Sequence, residues 1–304
     1  ARTLYKSVEK FKQMPEYLQI WPGHGAGSAC GKALGAVPET TVGYELRFNP
    51  SIKHSNSEDE FVNFILEGQP EPPLYFARMK RDNKQGPAVL GDRFPQPRKL
   101  SVDDINSLVN PEDFVVLDTR ERDQYSEGHL PGSLLTTMNK EFNTVAGSYV
   151  REDEPMYLII DEDKVDDAVR ELLRVGLDNI KGYVSLEDFN TYVKGGGKLD
   201  TLEVVNFDTL ANRMDDSNSA VLDVRKASEY EDSHIKDALN VAHTRMLVRQ
   251  EELPKDKHLY VHCQAGGRGA VAAALLKRDG FSVSLVDDDY SNWEANYKDR
   301  LVAR

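Results

Sequence analysis

A chain of 304 residues with 51 acidic and 38 basic side chains carries a formal net charge of −13 and an apolar fraction of 39%. That balance, with Lys and Arg scattered, argues against nucleic acid as a partner, because a phosphate backbone needs a basic stripe. No stretch approaches the roughly 20 uninterrupted apolar residues of a membrane span, and two cysteines, Cys30 and Cys263, do not make a disulfide framework. The expectation is a soluble, multidomain, cytoplasmic protein with no membrane partner, in which each thiol is explained on its own.

The chain begins Ala1-Arg2-Thr3 without a methionine, and an apolar-periodic stretch is already under way at Leu4 and Tyr5, so a trimmed or fragmentary N-terminus is expected. A short apolar strand, Leu18-Gln19-Ile20, leads into Trp21-Pro22-Gly23-His24-Gly25-Ala26-Gly27-Ser28-Ala29-Cys30-Gly31. That turn could present His24 as a metal ligand or hydrogen-bonding group, while Cys30 reads as a small buried thiol. Pro87, Pro95 and Pro97 punctuate the polar stretch that follows and set a first boundary, giving a section 1–97.

Beyond it one unit is written twice. Val115-Val116-Leu117-Asp118-Thr119-Arg120 is echoed by Ala220-Val221-Leu222-Asp223-Val224-Arg225, and Tyr125 and His129 by Tyr230 and His234 at the same spacing. Met156 to Ile160 matches Leu259 to Cys263, and Leu172-Leu173 matches Leu275-Leu276. Short β-branched runs alternate with helical periods, the pattern of a parallel sheet wrapped by helices, so the class is α/β. Lys194-Gly195-Gly196-Gly197-Lys198 separates the copies as a flexible or sharply turning connection, dividing the repeat into 98–198 and 199–304.

In the second copy the strand Leu259 to His262 runs into Cys263-Gln264-Ala265-Gly266-Gly267-Arg268, and a helix is expected from Ala270 to Lys277. A thiol between a strand and a helix N-terminus meets unpaired backbone N–H groups and the positive end of the helix dipole, which favour an anion there. Gly266 and Gly267 let the loop curl so that Gln264, Ala265 and the two glycines cradle a persulfide, and Arg268 supplies a permanent cation. Asp223 and Arg225 read as a bracing ion pair, His234 as a turn-packing histidine, and Arg245 as a residue of the pocket mouth. His262 should point to the face opposite Cys263. The first copy has Ile160-Asp161-Glu162-Asp163-Lys164-Val165 where the second has its loop, and so reads as catalytically silent.

Cysteine phosphatases place five residues between their Cys and Arg. Here there are four, a loop suited to a single sulfur atom, and the second copy resembles the rhodanese family through Asp223-Val224-Arg225, Glu229-Tyr230, Ser233-His234-Ile235, Ala238, Asn240, the Cys263 loop and Asn292-Trp293. The resemblance implies a sulfurtransferase with Cys263 as nucleophile, taking sulfane sulfur from thiosulfate or a persulfide to a thiol or sulfite acceptor without a cofactor. A persulfide-carrying sensor or relay module, and a cysteine phosphatase or arsenate reductase, are the alternatives. The N-terminal turn, with Thr41-Val42-Gly43-Tyr44-Glu45 and Phe76 to Asn83, resembles the C-terminal part of metallo-β-lactamase-fold proteins of the persulfide dioxygenase and glyoxalase II group. That implies a longer αββα parent with iron or zinc in its upstream half and a dioxygenase or hydrolase activity there. No His-x-His-x-Asp-His cluster occurs in this chain, so no complete metal site is expected, and an exposed partial core calls for self-association or a companion fragment.

Overall fold

The computed structural model describes residues 1–23, 39–69, 71–87, 89–91 and 94–303, so His24 and Cys30 lie outside the described residues. The chain divides into two units, Ala1–Pro70 and Glu71–Arg304. The first contains α1 (Arg2–Phe11), an antiparallel ribbon of β1 (Gln19–Ile20) and β2 (Thr40–Thr41), then α2 (Val42–Phe48), α3 (Pro50–Lys53) and α4 (Glu58–Leu66). Caps set the helix starts: the Thr41 hydroxyl accepts from the Tyr44 N–H, and Ser57 accepts from Glu60 at the head of an acidic first turn. Among its described hydrophobic side chains only Val42 and Phe61 are buried, while Tyr17, Trp21, Tyr44, Phe48 and Leu66 are each more than half exposed.

The second unit opens with α5 (Phe76–Gln85), upstream of the boundary expected at 97. Packing places it there. The Tyr75 ring lies so close over Gly147 that a Cβ would meet it at 2.7 Å, buried Arg78 lies along Gly176, and Arg81 forks onto Glu152. The stretch ahead of the first copy is therefore bound to that copy.

The first copy comprises β3 (Arg98–Lys99), β4 (Val115–Asp118), α6 (Arg122–Glu127), β5 (Leu134–Leu135), α7 (Phe142–Tyr149), β6 (Met156–Ile160), α8 (Val165–Arg174), β7 (Ile180–Ser185) and α9 (Leu186–Lys194). The second comprises β8 (Glu203–Val205), α10 (Phe207–Arg213), β9 (Ser219–Asp223), α11 (Ala227–Asp232), β10 (Ser233–Ile235), β11 (Leu239–Asn240), α12 (Met246–Arg249), β12 (His258–His262), α13 (Gly267–Arg278), β13 (Ser282–Val286), α14 (Tyr290–Asn296) and β14 (Leu301–Ala303). The strand orders coincide, β3-β7-β6-β4-β5 and β8-β13-β12-β9-β11, with every neighbouring pair parallel. The fold is α/β, with helices covering the sheets as parallel pairing requires.

One apolar core runs through both copies, taking in Leu117, Leu158 and Leu172 of the first and Leu222, Leu259 and Leu275 of the second. At its centre α13 buries every residue from Gly269 to Leu276. A helix apolar on all sides needs cover on all sides, and its small residues, Gly269, Ala270, Ala272, Ala273 and Ala274, let both copies approach it closely. The triglycine connection turns sharply: Gly196 has φ +82°, and Gly197 lies under Tyr192, whose hydroxyl accepts from the Lys198 N–H. No helix among the described residues is long and apolar enough to cross a membrane.

Candidate active site

β12 delivers Cys263 to the carboxyl end of the second sheet, 2% exposed, in the shared core. The next residues are shaped by three features. Gly266 has φ +78° and caps α13, a conformation that glycine adopts at no steric cost. The Gln264 carbonyl accepts from the Tyr290 N–H at 2.8 Å. The Ala265 carbonyl accepts from the Gly267 N–H at 3.0 Å and from Arg122 Nη1 at 2.7 Å. The helix begins at Gly267, three residues earlier than its Ala-rich run suggests, because the Gly266 cap completes the turn; Arg268 therefore stands in the first helical turn. The glycines differ accordingly. A Cβ on Gly266 would sit 1.8 Å from Asp287 Oδ1, whereas one on Gly267 would meet nothing nearer than Arg122 Nη1 at 4.0 Å, so only Gly266 is conformationally required.

Arg268 donates two parallel bonds to Glu229, Nη1 to Oε2 at 2.7 Å and Nη2 to Oε1 at 2.8 Å. That fork, and then the neighbouring Cys263, hold the guanidinium charged. Burial would raise the Glu229 carboxyl, but its bonds to Arg268 outweigh burial and keep it below the usual range. His243 lies on the same side. Burial, followed by the Arg268 charge, pushes its imidazole from near 6.5 down to about 4, and its Nδ1 is buried without a hydrogen-bond partner among the described residues.

Asp223 and Arg225 form a buried pair, Nε to Oδ1 at 3.0 Å and Nη2 to Oδ2 at 2.6 Å, with Nη2 also donating to the Ser233 carbonyl at 2.7 Å. The guanidinium stacks on Tyr290 at 3.8 Å. Asp118 and Arg120 repeat these bonds in the first copy, Nη2 reaching the Gly128 carbonyl at 2.8 Å. The first copy has Ile160 where the second has Cys263, so the same wiring forms at the strand end without a cysteine. His234 Nδ1 contacts the Tyr230 carbonyl oxygen at 2.7 Å, and His129 repeats this with Tyr125 at 2.8 Å. His262 is buried on the other face of the sheet, stacked on Tyr290 and 3.7 Å from Asp223, and burial lowers its pKa.

A cleft of about 660 Å³ opens between the copies, lined by Glu121, Arg122 and Glu141 from the first and Lys226, His243 and Arg268 from the second. Arg245, expected at the pocket mouth, is absent from this lining: its guanidinium turns to the Pro72 carbonyl at 3.2 Å and toward Glu71 at 3.9 Å. The first copy puts buried Ile160 at the strand end and fills the loop with a 3₁₀ turn, Glu162–Lys164, whose Glu162 is taken by Lys99 at 2.7 Å. Among the described residues no group of three His, Cys, Asp or Glu could hold a metal ion. Arg122 and His243 line the cleft without having been singled out by the sequence, and Glu229 was marked there only through the rhodanese resemblance, which gave it no role at the loop. Glu229 stands where the first copy has Gln124, so the repeat itself did not mark it; Arg122 had no signal, since its bond to Ala265 spans 143 positions.

The Rhodanese-like domain family matches residues 206–296. Thiosulfate sulfurtransferase GlpE of Pseudomonas savastanoi pv. phaseolicola is 31% identical over 93 residues, covering 30% of this chain and 88% of that protein. This chain belongs to the rhodanese family. The rhodanese match falls within the second copy, the one with Cys263. The putative sulfur carrier protein YrkF of Bacillus subtilis is 30% identical over 78 residues, 25% of this chain and 42% of that protein. A solved metallo-beta-lactamase of Staphylococcus aureus is 34% identical, covering 60% of this rhodanese and 49% of that chain, with a TM-score of 0.48. The chain thus spans less than half the length of each of these last two proteins.

Proposed function

We propose that this rhodanese is a sulfurtransferase that carries sulfane sulfur as a persulfide on Cys263. The observation that carries the reading is the placement of that thiol: at a strand end, on the six-residue loop closed by Arg268, before the first turn of α13. Helix N-termini leave N–H groups without intrahelical acceptors, and such groups with an adjacent guanidinium stabilise an anionic sulfur. In the first step the Cys263 thiolate attacks the outer sulfur of thiosulfate or of a persulfide. A sulfur–sulfur bond forms to Cys263, the donor's own sulfur–sulfur bond breaks, and sulfite or a thiolate leaves with the electron pair. In the second, a thiolate or sulfite attacks the terminal sulfur and releases the Cys263 thiolate. Neither step needs a metal or organic cofactor.

Intact mass of the purified protein before and after thiosulfate tests this. Addition of about 32 Da that Cys263→Ser abolishes and Cys30→Ser preserves is the expected result; loading that follows Cys30 instead would overturn the assignment. Loading without turnover to a small thiol or sulfite would make the chain a persulfide relay.

A further inference from the structure

The geometry points to Arg122, on the copy that has no nucleophile, as a positioning residue for the Cys263 loop. The inference rests on the reading of Cys263 as the sulfur-carrying thiol. A cradle for an anionic sulfur needs N–H groups turned inward and carbonyl oxygens turned out, because a carbonyl facing the sulfur would repel it. Two carbonyls of the loop are disposed of visibly. The Gln264 oxygen is taken by the Tyr290 N–H from within the same copy. The Ala265 oxygen receives the Gly267 N–H and, from the other copy, Arg122 Nη1 at 2.7 Å.

Arg122 makes a second attachment on the same side. Its Nε lies 3.1 Å from Asp287 Oδ2, at the end of β13. Asp287 in turn occupies the space above Gly266, where a Cβ would come within 1.8 Å of its carboxylate and 2.8 Å of Arg122 Nη1. Burial raises the Asp287 carboxyl while Arg122 opposes that shift. One guanidinium therefore ties three points together: a loop carbonyl, the carboxylate over the left-handed glycine, and α6 of the silent copy. The same side chain lines the cleft. Charge-assisted bonds of this kind are directional, and the fork of an arginine fixes two acceptors at once where a lysine fixes one. The silent copy thus contributes to the site by holding the loop that its partner copy carries.

The test uses the full chain with Arg122→Ala, Arg122→Lys and Asp287→Asn. Three readouts apply: alkylation of Cys263 by iodoacetamide at fixed neutral pH, the lifetime of the loaded persulfide by intact mass, and kcat and KM for thiosulfate. Positioning predicts that Arg122→Ala slows alkylation, shortens the persulfide lifetime and lowers kcat on the order of tenfold, with KM nearly unchanged, since small displacements of a reacting group are costly. Arg122→Lys should recover part of each loss. Asp287→Asn should reproduce a smaller share, because the bond to Ala265 survives. Unchanged alkylation and kcat in folded Arg122→Ala, or a loss of melting temperature alone across the three variants, would overturn the proposal. A wild-type protein that never gains sulfur would instead remove the sulfurtransferase reading, and the alkylation rates would still judge Arg122.

Discussion

Arg268 faces Glu229 through two parallel N–H···O bonds of 2.7 and 2.8 Å, so the cation of the Cys263 loop is shared with a carboxylate from α11. Both side chains are about a third exposed or less. The pairing fixes the guanidinium plane but also places a negative charge beside the cleft. Replacing the carboxylate with a neutral hydrogen-bonding group separates the two effects. Glu229→Gln should lower KM for dianionic thiosulfate about threefold to tenfold at low salt, the gain shrinking as salt rises. Arg268→Ala should cost on the order of a hundredfold or more in kcat, the scale for losing a preorganised electrostatic group. Steady-state kinetics at two ionic strengths check both; a raised KM in Glu229→Gln would show that the carboxylate's role is alignment alone.

The duplicated ion pairs make a second prediction. Asp223–Arg225 and Asp118–Arg120 are wired alike, each guanidinium bonding its carboxylate and then a carbonyl eight residues beyond the arginine. Removing one member of a buried pair leaves an uncompensated charge and costs about 3–5 kcal/mol. Asp223→Ala and Asp118→Ala should therefore lower stability by similar amounts in urea unfolding, while sulfur transfer per folded molecule falls in the first and persists in the second. Equal loss of transfer in both would mean that the first copy's brace also governs the loop.

Much of this was legible in the chain because it is local. The Cys263 loop is one contiguous stretch, and the Asp-x-Arg pairs and the paired Tyr and His residues recur at fixed spacing, so the repeat exposes them. The triglycine connection was legible as a turn, and Gly196 and Gly197 show why. What escaped depends on pairing distant segments. Arg122 reaches across 143 positions, and α5 joins the second unit only because Tyr75 and Arg78 find Gly147 and Gly176. Arg245 carries a charge near the loop in sequence, but its direction is set by Pro72 and Glu71, far upstream. Periodicity could not fix the start of α13 either, since a positive-φ glycine and not the alanine run determines it.

Acid should loosen the fold through buried imidazoles. His243 is held neutral, its value pushed to about 4 by burial and the Arg268 charge, and burial lowers His129, His258 and His262 as well. Such a group takes up its proton in the unfolded chain near 6.5 but resists it in the folded one. The unfolded state then binds more protons, and stability falls as pH drops from about 6.5 toward about 4. Denaturant midpoints across this range should decline, and more gently in His243→Asn. An identical pH slope in that variant would remove His243 from the account.

The two loop glycines offer the sharpest contrast. Gly266 is at φ +78° with Asp287 and Arg122 pressed against the place of a Cβ, so Gly266→Ala must strain the backbone and displace the carboxylate together. Gly267 opens α13 with space around it, and alanine suits a helix better than glycine by about 1 kcal/mol. Gly266→Ala should lower the melting temperature and reduce persulfide loading on Cys263 to a small fraction of wild type by intact mass. Gly267→Ala should leave the melting temperature level or raise it by a degree or two, the scale of such a helix gain in a unit this large. Strain at Gly266 is local to the loop, so loading should fall further than global stability does. A Gly266→Ala protein that loads sulfur normally would show that the loop holds its sulfur without the left-handed turn, and the cradle would have to be sought in Arg268 alone.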